Sequence, residues 1–222
     1  SEQITQMGHS AKYDYENGLP VLYLLHGAYG DAFSWVRYSN IDRYAQDRGI
    51  VVVMASAENS FYQDLRSGKK YKTFFTEELP LFIRNVFPVS REREKTFIAG
   101  FSMGGYGAWY LALSRPELYA KAASMSGALD IAGLYQAAAA GNNDNNPFHW
   151  EDCFGDPDKL AGSDYDLFTL YDRDVKNGCV PKLYQAVGRD DFLYPSNVYV
   201  RKLLEQKQAD LTYEEDKGGH DW

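Results

Sequence analysis

The sequence predicts an α/β fold in which helices cover both faces of a mostly parallel sheet. Short apolar runs that are typical of buried strands alternate along the chain with segments compatible with helices. This alternation indicates parallel strands that are joined by crossover helices. The length of 222 residues, with 45% hydrophobic and 24% charged residues, predicts one globular domain over residues 1–222.

The predicted elements follow one another in a regular order. The strand at 49–54 is apolar throughout, so we expect it to be buried on both faces. Thr76 is the predicted N-cap of a helix at 76–86. The segment 128–174, rich in Asn, Asp and Gly, predicts a cap-like insertion over the edge of the sheet where the site lies. Further strands are expected at 20–25, 97–99, 121–125, 181–187 and 211–215, and further helices at 35–48 and 196–208.

Charge and composition exclude several classes of function. The net charge of -8 and the pI of about 5.0 argue against nucleic-acid binding, which needs a basic surface. No run of about 18 apolar residues occurs, so no membrane span is predicted. Cys153 and Cys179 have no metal-type spacing with histidines, so we expect free thiols, no metal and no other cofactor. These features predict a cytoplasmic protein, with secretion as the alternative if the N-terminus is incomplete.

A serine between glycines directly follows one predicted strand. Gly100, Ser102 and Gly104 form a Gly-x-Ser-x-Gly motif between the apolar run 97–99 and a helix-compatible stretch that ends at Arg115. A serine on so tight a strand-to-helix turn projects its Oγ above the sheet, near the first amides of the helix. The motif therefore predicts a nucleophilic serine and acyl transfer. The alternative is a glycine-rich turn whose serine only caps the helix.

A nucleophilic serine needs a base, and the base needs a carboxylate that orients it. Asp190 and Asp191 follow one apolar strand, and His220 follows the last predicted strand. The carboxyl ends of parallel strands share one edge of a sheet, so these groups are expected to meet Ser102 there. We prefer Asp191 as the acid because it lies three residues past Gly188, and Asp190 remains the alternative.

The loop after the first strand is expected to complete an oxyanion hole. The predicted donors are the N–H of Ala28 in this loop and the N–H of Met103 after the serine. His26, at the start of the loop, is interpreted as a group that ties the loop rather than as a base. Five aromatic residues near the predicted edge loops are candidates for an acyl pocket, with ordinary packing as the alternative for each: Tyr29, Phe61, Tyr62, Phe101 and Trp150.

Five segments together resemble the esterase D-like carboxylesterases, and especially the tributyrin esterase branch, which is related to feruloyl esterases and S-formylglutathione hydrolases. The resemblance lies in 20–27, 94–107, 126–129, 191–194 and 219–222, in this order. It implies an α/β-hydrolase fold without a catalytic metal. Members of the family usually begin with an antiparallel strand pair and close with a helix, and we expect this chain to lack both. For the site the resemblance implies Ser102 as nucleophile, Asp191 as acid, His220 as base, and Ala28 and Met103 as oxyanion donors.

The residues and the resemblance predict a serine carboxylesterase that acts on short-chain acyl esters or on hydroxycinnamoyl, feruloyl-type esters. The alternatives are a thioesterase like the S-formylglutathione hydrolases and a catalytically silent hydrolase fold that serves as a binding module. The expected partner is a small-molecule or saccharide-linked ester, with no nucleic acid and no membrane. A homo-oligomer is left open.

Overall fold

A six-stranded parallel sheet forms the centre of the molecule. The structure, a computed structural model, describes residues 13, 15–141 and 148–222. The strands lie in the order β2-β1-β3-β4-β5-β6, and every neighbouring pair is parallel. The predicted α/β class is therefore confirmed. The strands are β1 (Val21–Leu25), β2 (Val51–Met54), β3 (Thr96–Phe101), β4 (Lys121–Met125), β5 (Lys182–Gly188) and β6 (Leu211–Asp216).

Helices connect the strands and cover both faces of the sheet. In the described ranges they are α1 (Ser34–Tyr38), α2 (Ile41–Arg48), α3 (Tyr71–Thr73), α4 (Leu79–Val86), α5 (Met103–Ser114), α6 (Ile131–Ala140), α7 (Trp150–Phe154), α8 (Leu167–Asn177) and α9 (Tyr194–Gln206). Alternate side chains of β1 and β3 point to opposite faces and enter two separate hydrophobic clusters. The larger cluster includes most of α5, and the smaller one includes Trp35 of α1. The helix that follows the serine motif is thus a core helix.

Two predicted helices differ from the structure. The helix expected at 35–48 is two helices, because Ser39 has an extended backbone between α1 and α2. Thr76 is not an N-cap, so that prediction was wrong: a π-helical turn, Phe74–Glu78, joins α3 to α4, and Thr76 lies inside it. The hydroxyl of Thr76 donates to the carbonyl oxygen of Lys72 (2.9 Å). Burial of Phe75 in the core extends the helix beyond its local capping signal.

The apolar strand β2 lies at one edge of the described sheet. It pairs with β1 on one side, and Val53 is its one buried residue. The strand is nevertheless covered on both faces, as predicted, because Val53 enters the larger hydrophobic cluster while half-buried Val52 and Met54 pack against the smaller one. Apolar composition shows that a strand is covered, but it does not show how many neighbours the strand has in the sheet.

The segment 128–174 contains α6, α7 and the first part of α8, and residues 142–147 within it lie outside the described part. The α8 helix packs against α5. Leu170 of α8 is buried, and the guanidinium of Arg173 donates to the carbonyl oxygen of Leu113 in α5. This helix belongs to the layer that covers the sheet. The cap-like role of the rest of the segment stays a prediction.

Two further observations concern the ends of the chain and the membrane. The predicted lack of an N-terminal strand pair concerns residues that lie mostly outside the described ranges, and it stays a prediction. None of the helices in the described ranges combines the length and the apolar character that are needed to cross a bilayer.

Gly100 in β3 lies directly against the first turn of α5. A Cβ at this position would overlap the carbonyl oxygen of Gly104, which is helix backbone and cannot rotate away. We therefore expect Gly100→Ala to lower the free energy of unfolding by about 4 kcal/mol or more, or to prevent folding. Urea denaturation measures this loss.

The matched control for that variant is Gly141→Ala. Its Cβ would meet only an ordinary contact at 3.5 Å, and its φ of -78° suits any residue. This variant should unfold within about 0.5 kcal/mol of the wild-type protein. Equal stability of the two variants would show that β3 and α5 do not approach each other this closely.

Candidate active site

Ser102 lies at the turn between β3 and α5 in a backbone conformation that side chains rarely adopt. Its φ is 58° and its ψ is -119°, the strained geometry of a strand-to-helix turn. The Ser102 N–H donates to the carbonyl oxygen of Met125 (2.9 Å), and its carbonyl accepts from the N–H groups of Gly105 (2.9 Å) and Ala128 (3.2 Å). A Cβ on Gly104 would collide with the backbone at the end of β1. The close packing around the turn therefore fixes the position of Ser102.

His220 and Asp191 form one hydrogen-bonded line with Ser102. His220 Nε2 lies 2.8 Å from Ser102 Oγ, and His220 Nδ1 lies 3.0 and 2.9 Å from the two carboxylate oxygens of Asp191. An ionised carboxylate only accepts hydrogen bonds, so a neutral imidazole carries its proton on Nδ1 here. Its Nε2 is then free to accept the Ser102 hydroxyl proton. The structure thus brings together the three side chains that the chain order predicted to meet.

The two adjacent aspartates have different surroundings. The Asp191 side chain is fully buried, and its Oδ1 also accepts from the N–H of Leu193 (2.7 Å). Asp190 is exposed, and its N–H donates to the carbonyl oxygen of Gly218 in the histidine loop (2.9 Å). The structure therefore places Asp191, and not Asp190, against the imidazole of His220.

Aromatic packing holds the loop that follows β6 and carries His220. The centroid of the Phe192 ring lies 4.5 Å from that of the imidazole, and the centroid of Phe101 lies 4.9 Å from it. Two residues further on, the Trp222 ring packs against Phe101 (4.7 Å) and Trp35 (4.8 Å). These contacts restrict the imidazole to the position in which both of its nitrogens are hydrogen-bonded.

The predicted oxyanion loop follows β1 on the other side of Ser102. The N–H of Tyr29 donates to Asn59 Oδ1 (2.8 Å), and the N–H of Gly30 donates to the carbonyl oxygen of Gly27 (3.1 Å). In the part of the chain that the structure describes, the Ala28 N–H has no hydrogen-bond acceptor. Met103 is the first residue of α5, where an N–H lacks an intrahelical acceptor. Both predicted donors are therefore available to a bound group.

His26 is buried at the start of this loop, and both of its ring nitrogens are hydrogen-bonded to the main chain. Nδ1 lies 2.7 Å from the carbonyl oxygen of Gly27, and Nε2 lies 2.8 Å from the N of Ala57. Burial lowers the pKa of His26, whereas its bond to Gly27 and the charge of Asp31 act in the opposite direction. The interpretation of His26 as a group that ties the loop agrees with these contacts.

A cleft of about 600 Å³ opens beside Ser102 and His220. Of the five predicted pocket residues, Tyr29 and Phe101 line it. The cleft is also lined by aromatic residues that the sequence reasoning did not select: Tyr38 at the end of α1, and Phe148, Phe192 and Trp222 from loops. Phe192 could have been found, because it directly follows the preferred acid in the sequence. In the described ranges, no group of three or more His, Cys, Asp and Glu side chains could hold a metal ion.

The other three predicted pocket residues do not line this cleft. Phe61 and Tyr62 are core residues, and the Tyr62 hydroxyl donates to the carbonyl oxygen of His26 (2.9 Å). Trp150 packs on Phe61, with ring centroids 4.8 Å apart. The prediction for these three was therefore wrong: Phe61 and Tyr62 follow β2 and are buried in the core, and Trp150 of α7 packs against Phe61.

The sequence matches a known protein family over most of its length. Residues 8–222 match the family described as "Putative esterase". The chain belongs to this esterase family. The esterase is 40% identical over 217 residues to an acetyl esterase of Caldicellulosiruptor saccharolyticus, with 94% of this chain and 79% of the relative covered. Together with the fold, this relationship identifies the enzyme as a carboxylic ester hydrolase.

Two solved structures of Staphylococcus aureus enzymes share the fold of the esterase. Fluorophosphonate-binding serine hydrolase F, with substrate bound, has a TM-score of 0.82 and 29% identity, over 100% of this chain and 82% of that chain. An S-formylglutathione hydrolase without ligand has a TM-score of 0.79 and 31% identity, over 92% and 78% of the two chains. The predicted α/β-hydrolase fold is therefore confirmed.

Proposed function

We propose that this esterase hydrolyses short-chain acyl esters, such as acetyl esters, through an acyl-enzyme on Ser102. The observation that carries the proposal is the unbroken line of hydrogen bonds from Ser102 Oγ through the imidazole of His220 to the buried carboxylate of Asp191. A hydroxyl in such a line loses its proton to the imidazole as it attacks a carbonyl carbon.

The reaction follows from the position of each group. His220 Nε2 takes the proton of Ser102 Oγ while the oxygen attacks the ester carbonyl, and Asp191 stabilises the imidazolium that forms. The N–H groups of Ala28 and Met103 bind the oxyanion of the tetrahedral intermediate. His220 then returns the proton to the departing alcohol. Water repeats the sequence on the acyl-enzyme, which releases the acid and restores Ser102.

The choice of a short acyl group is supported by the acetyl esterase relative, which covers nearly the whole chain. A specific observation favours hydroxycinnamoyl esters as the second candidate. Three aromatic side chains, Tyr29, Phe148 and Phe192, line the cleft beside Ser102 and come from three different loops. Flat aromatic surfaces of this kind suit a planar aromatic acyl group.

A panel of esters tests the proposal. We expect kcat/KM to be highest for p-nitrophenyl acetate or butyrate and to fall steadily towards the laurate, because the proposed substrate carries a short acyl group. Methyl ferulate tests for activity on hydroxycinnamoyl esters, and S-formylglutathione tests for thioesterase activity. The highest kcat/KM for either of these would replace the proposed substrate class. If the folded protein hydrolyses none of these esters and does not react with a fluorophosphonate, the conclusion that it is an active serine hydrolase is wrong.

A further inference from the structure

We propose that His26 is a positioning residue that aims the Ala28 N–H at the oxyanion. The inference rests on the proposed function, because it concerns how the same site would stabilise the tetrahedral intermediate. It assigns to His26 a role in the reaction although its hydrogen bonds run to the main chain and not to Ser102, Asp191 or His220.

The hydrogen bonds of the ring fix where its proton lies. The N–H of Ala57 can only donate, so His26 Nε2, at 2.8 Å, must be the acceptor. The ring proton is therefore on Nδ1, which donates to the carbonyl oxygen of Gly27 at 2.7 Å. A ring with both nitrogens engaged in this way cannot also serve as a base for Ser102.

The bond to Gly27 acts on Ala28 through the peptide that joins them. The carbonyl of Gly27 and the N–H of Ala28 belong to one planar peptide unit, and no described peptide bond is cis. In a trans peptide these two groups point in opposite directions. The carbonyl is held twice, by His26 Nδ1 and by the N–H of Gly30 (3.1 Å). Because the Gly27 carbonyl is fixed, the orientation of the Ala28 N–H bond is fixed as well, and it points away from the His26 ring.

The segment after β2 supports this arrangement at three points. Ala57, which is fully buried, donates to the far nitrogen of the His26 ring. The hydroxyl of buried Tyr62 donates to the carbonyl oxygen of His26 (2.9 Å), and Asn59 Oδ1 accepts from the N–H of Tyr29 (2.8 Å). The oxyanion loop is thus fixed to a second, packed segment before any substrate binds. Such preorganisation is what makes an oxyanion donor effective.

Two substitutions separate the two ends of the ring. His26→Asn keeps an N–H at the position of Nδ1 and loses the acceptor for Ala57, whereas His26→Gln keeps an acceptor near Nε2 and loses the donor to Gly27. Each removes one buried hydrogen bond, so we expect similar falls in the urea midpoint. For p-nitrophenyl acetate, kcat should fall about 30-fold or more in His26→Gln with KM within twofold, because removal of an oxyanion donor acts on the transition state. In His26→Asn the loss of kcat should stay below about fivefold.

A purely structural role predicts a different result. The two variants would then lose kcat equally, or in proportion to their urea midpoints, and that outcome would overturn the proposal. A rise in KM without a fall in kcat in His26→Gln would overturn it as well.

A second measurement keeps the inference separate from the proposed function. After reaction with a p-nitrophenyl phosphonate, the Ala28 N–H should show a downfield proton shift in the NMR spectra of the wild-type protein and His26→Asn. In His26→Gln the shift should be smaller. A wild-type protein that takes the phosphonate and shows this pattern but turns over no ester would refute the proposed function and retain the role of His26. The same shift in all three proteins would refute that role.

Discussion

The Ser102→Ala variant is expected to hydrolyse p-nitrophenyl acetate about 10⁶-fold more slowly than the wild-type enzyme, through a fall in kcat. Without Oγ no acyl-enzyme forms, and only the oxyanion donors and substrate binding remain to assist attack by water. Labelling by a fluorophosphonate should disappear. The fold should be kept, because the main-chain hydrogen bonds of Ser102 hold this turn and do not depend on its hydroxyl, which is bonded to His220 Nε2.

The His220→Ala variant and the double variant provide the control for this experiment. Because the serine and the imidazole act as one unit, the three variants should have nearly the same residual kcat. Multiplicative losses would mean that His220 acts independently of Ser102. A single Ser102→Ala variant that retains more than about one percent of kcat would place the nucleophile elsewhere.

The second large effect is expected at the acid. Asp191→Asn should lower kcat by about 10⁴-fold with KM little changed. The amide that replaces the carboxylate can donate to Nδ1 of His220, which favours the tautomer with its proton on Nε2. That tautomer cannot accept the hydroxyl proton of Ser102. The measurement is the kcat of ester hydrolysis beside a urea denaturation curve, which separates loss of activity from loss of structure.

Asp190→Asn is the matched control, because it makes the same chemical change one residue earlier in the chain. The Asp190 side chain is exposed, and it is the N–H of this residue that contacts the histidine loop. We expect its kcat to stay within about threefold of the wild-type value. If the larger loss occurs at Asp190 instead, the geometry proposed for the acid is wrong.

Local sequence features identified the strands and two members of the site. The glycines around Ser102 are needed where β3 and α5 approach closely, and such a requirement is visible in the sequence itself. His220 was visible because it follows a predicted strand. The choice between Asp190 and Asp191 could not be settled in this way, because both lie in one loop. The burial that distinguishes them depends on contacts with a segment near residue 220.

Three of the five predicted pocket residues were wrong for a related reason, whereas Tyr29 and Phe101 do line the cleft. Proximity to a predicted loop does not tell whether an aromatic ring points towards the cleft or towards the core. Phe61 and Tyr62 have positive φ values, and their turns carry the rings inward, where both are buried. The edge position of β2 could not be predicted, because the number of neighbours of a strand is a property of the sheet and not of the strand.

Because the three site residues follow different strands, the rate of ester hydrolysis depends on whether these strands are correctly packed in the sheet. Ser102 follows β3, Asp191 follows β5 and His220 follows β6, and β4 lies between the first two of these strands. Product therefore forms only while four neighbouring strands are aligned together. A chain from which β6 has detached would keep most of its far-ultraviolet circular dichroism and yet release no p-nitrophenol. The assay of p-nitrophenol release would thus detect partial opening of the sheet before far-ultraviolet circular dichroism does.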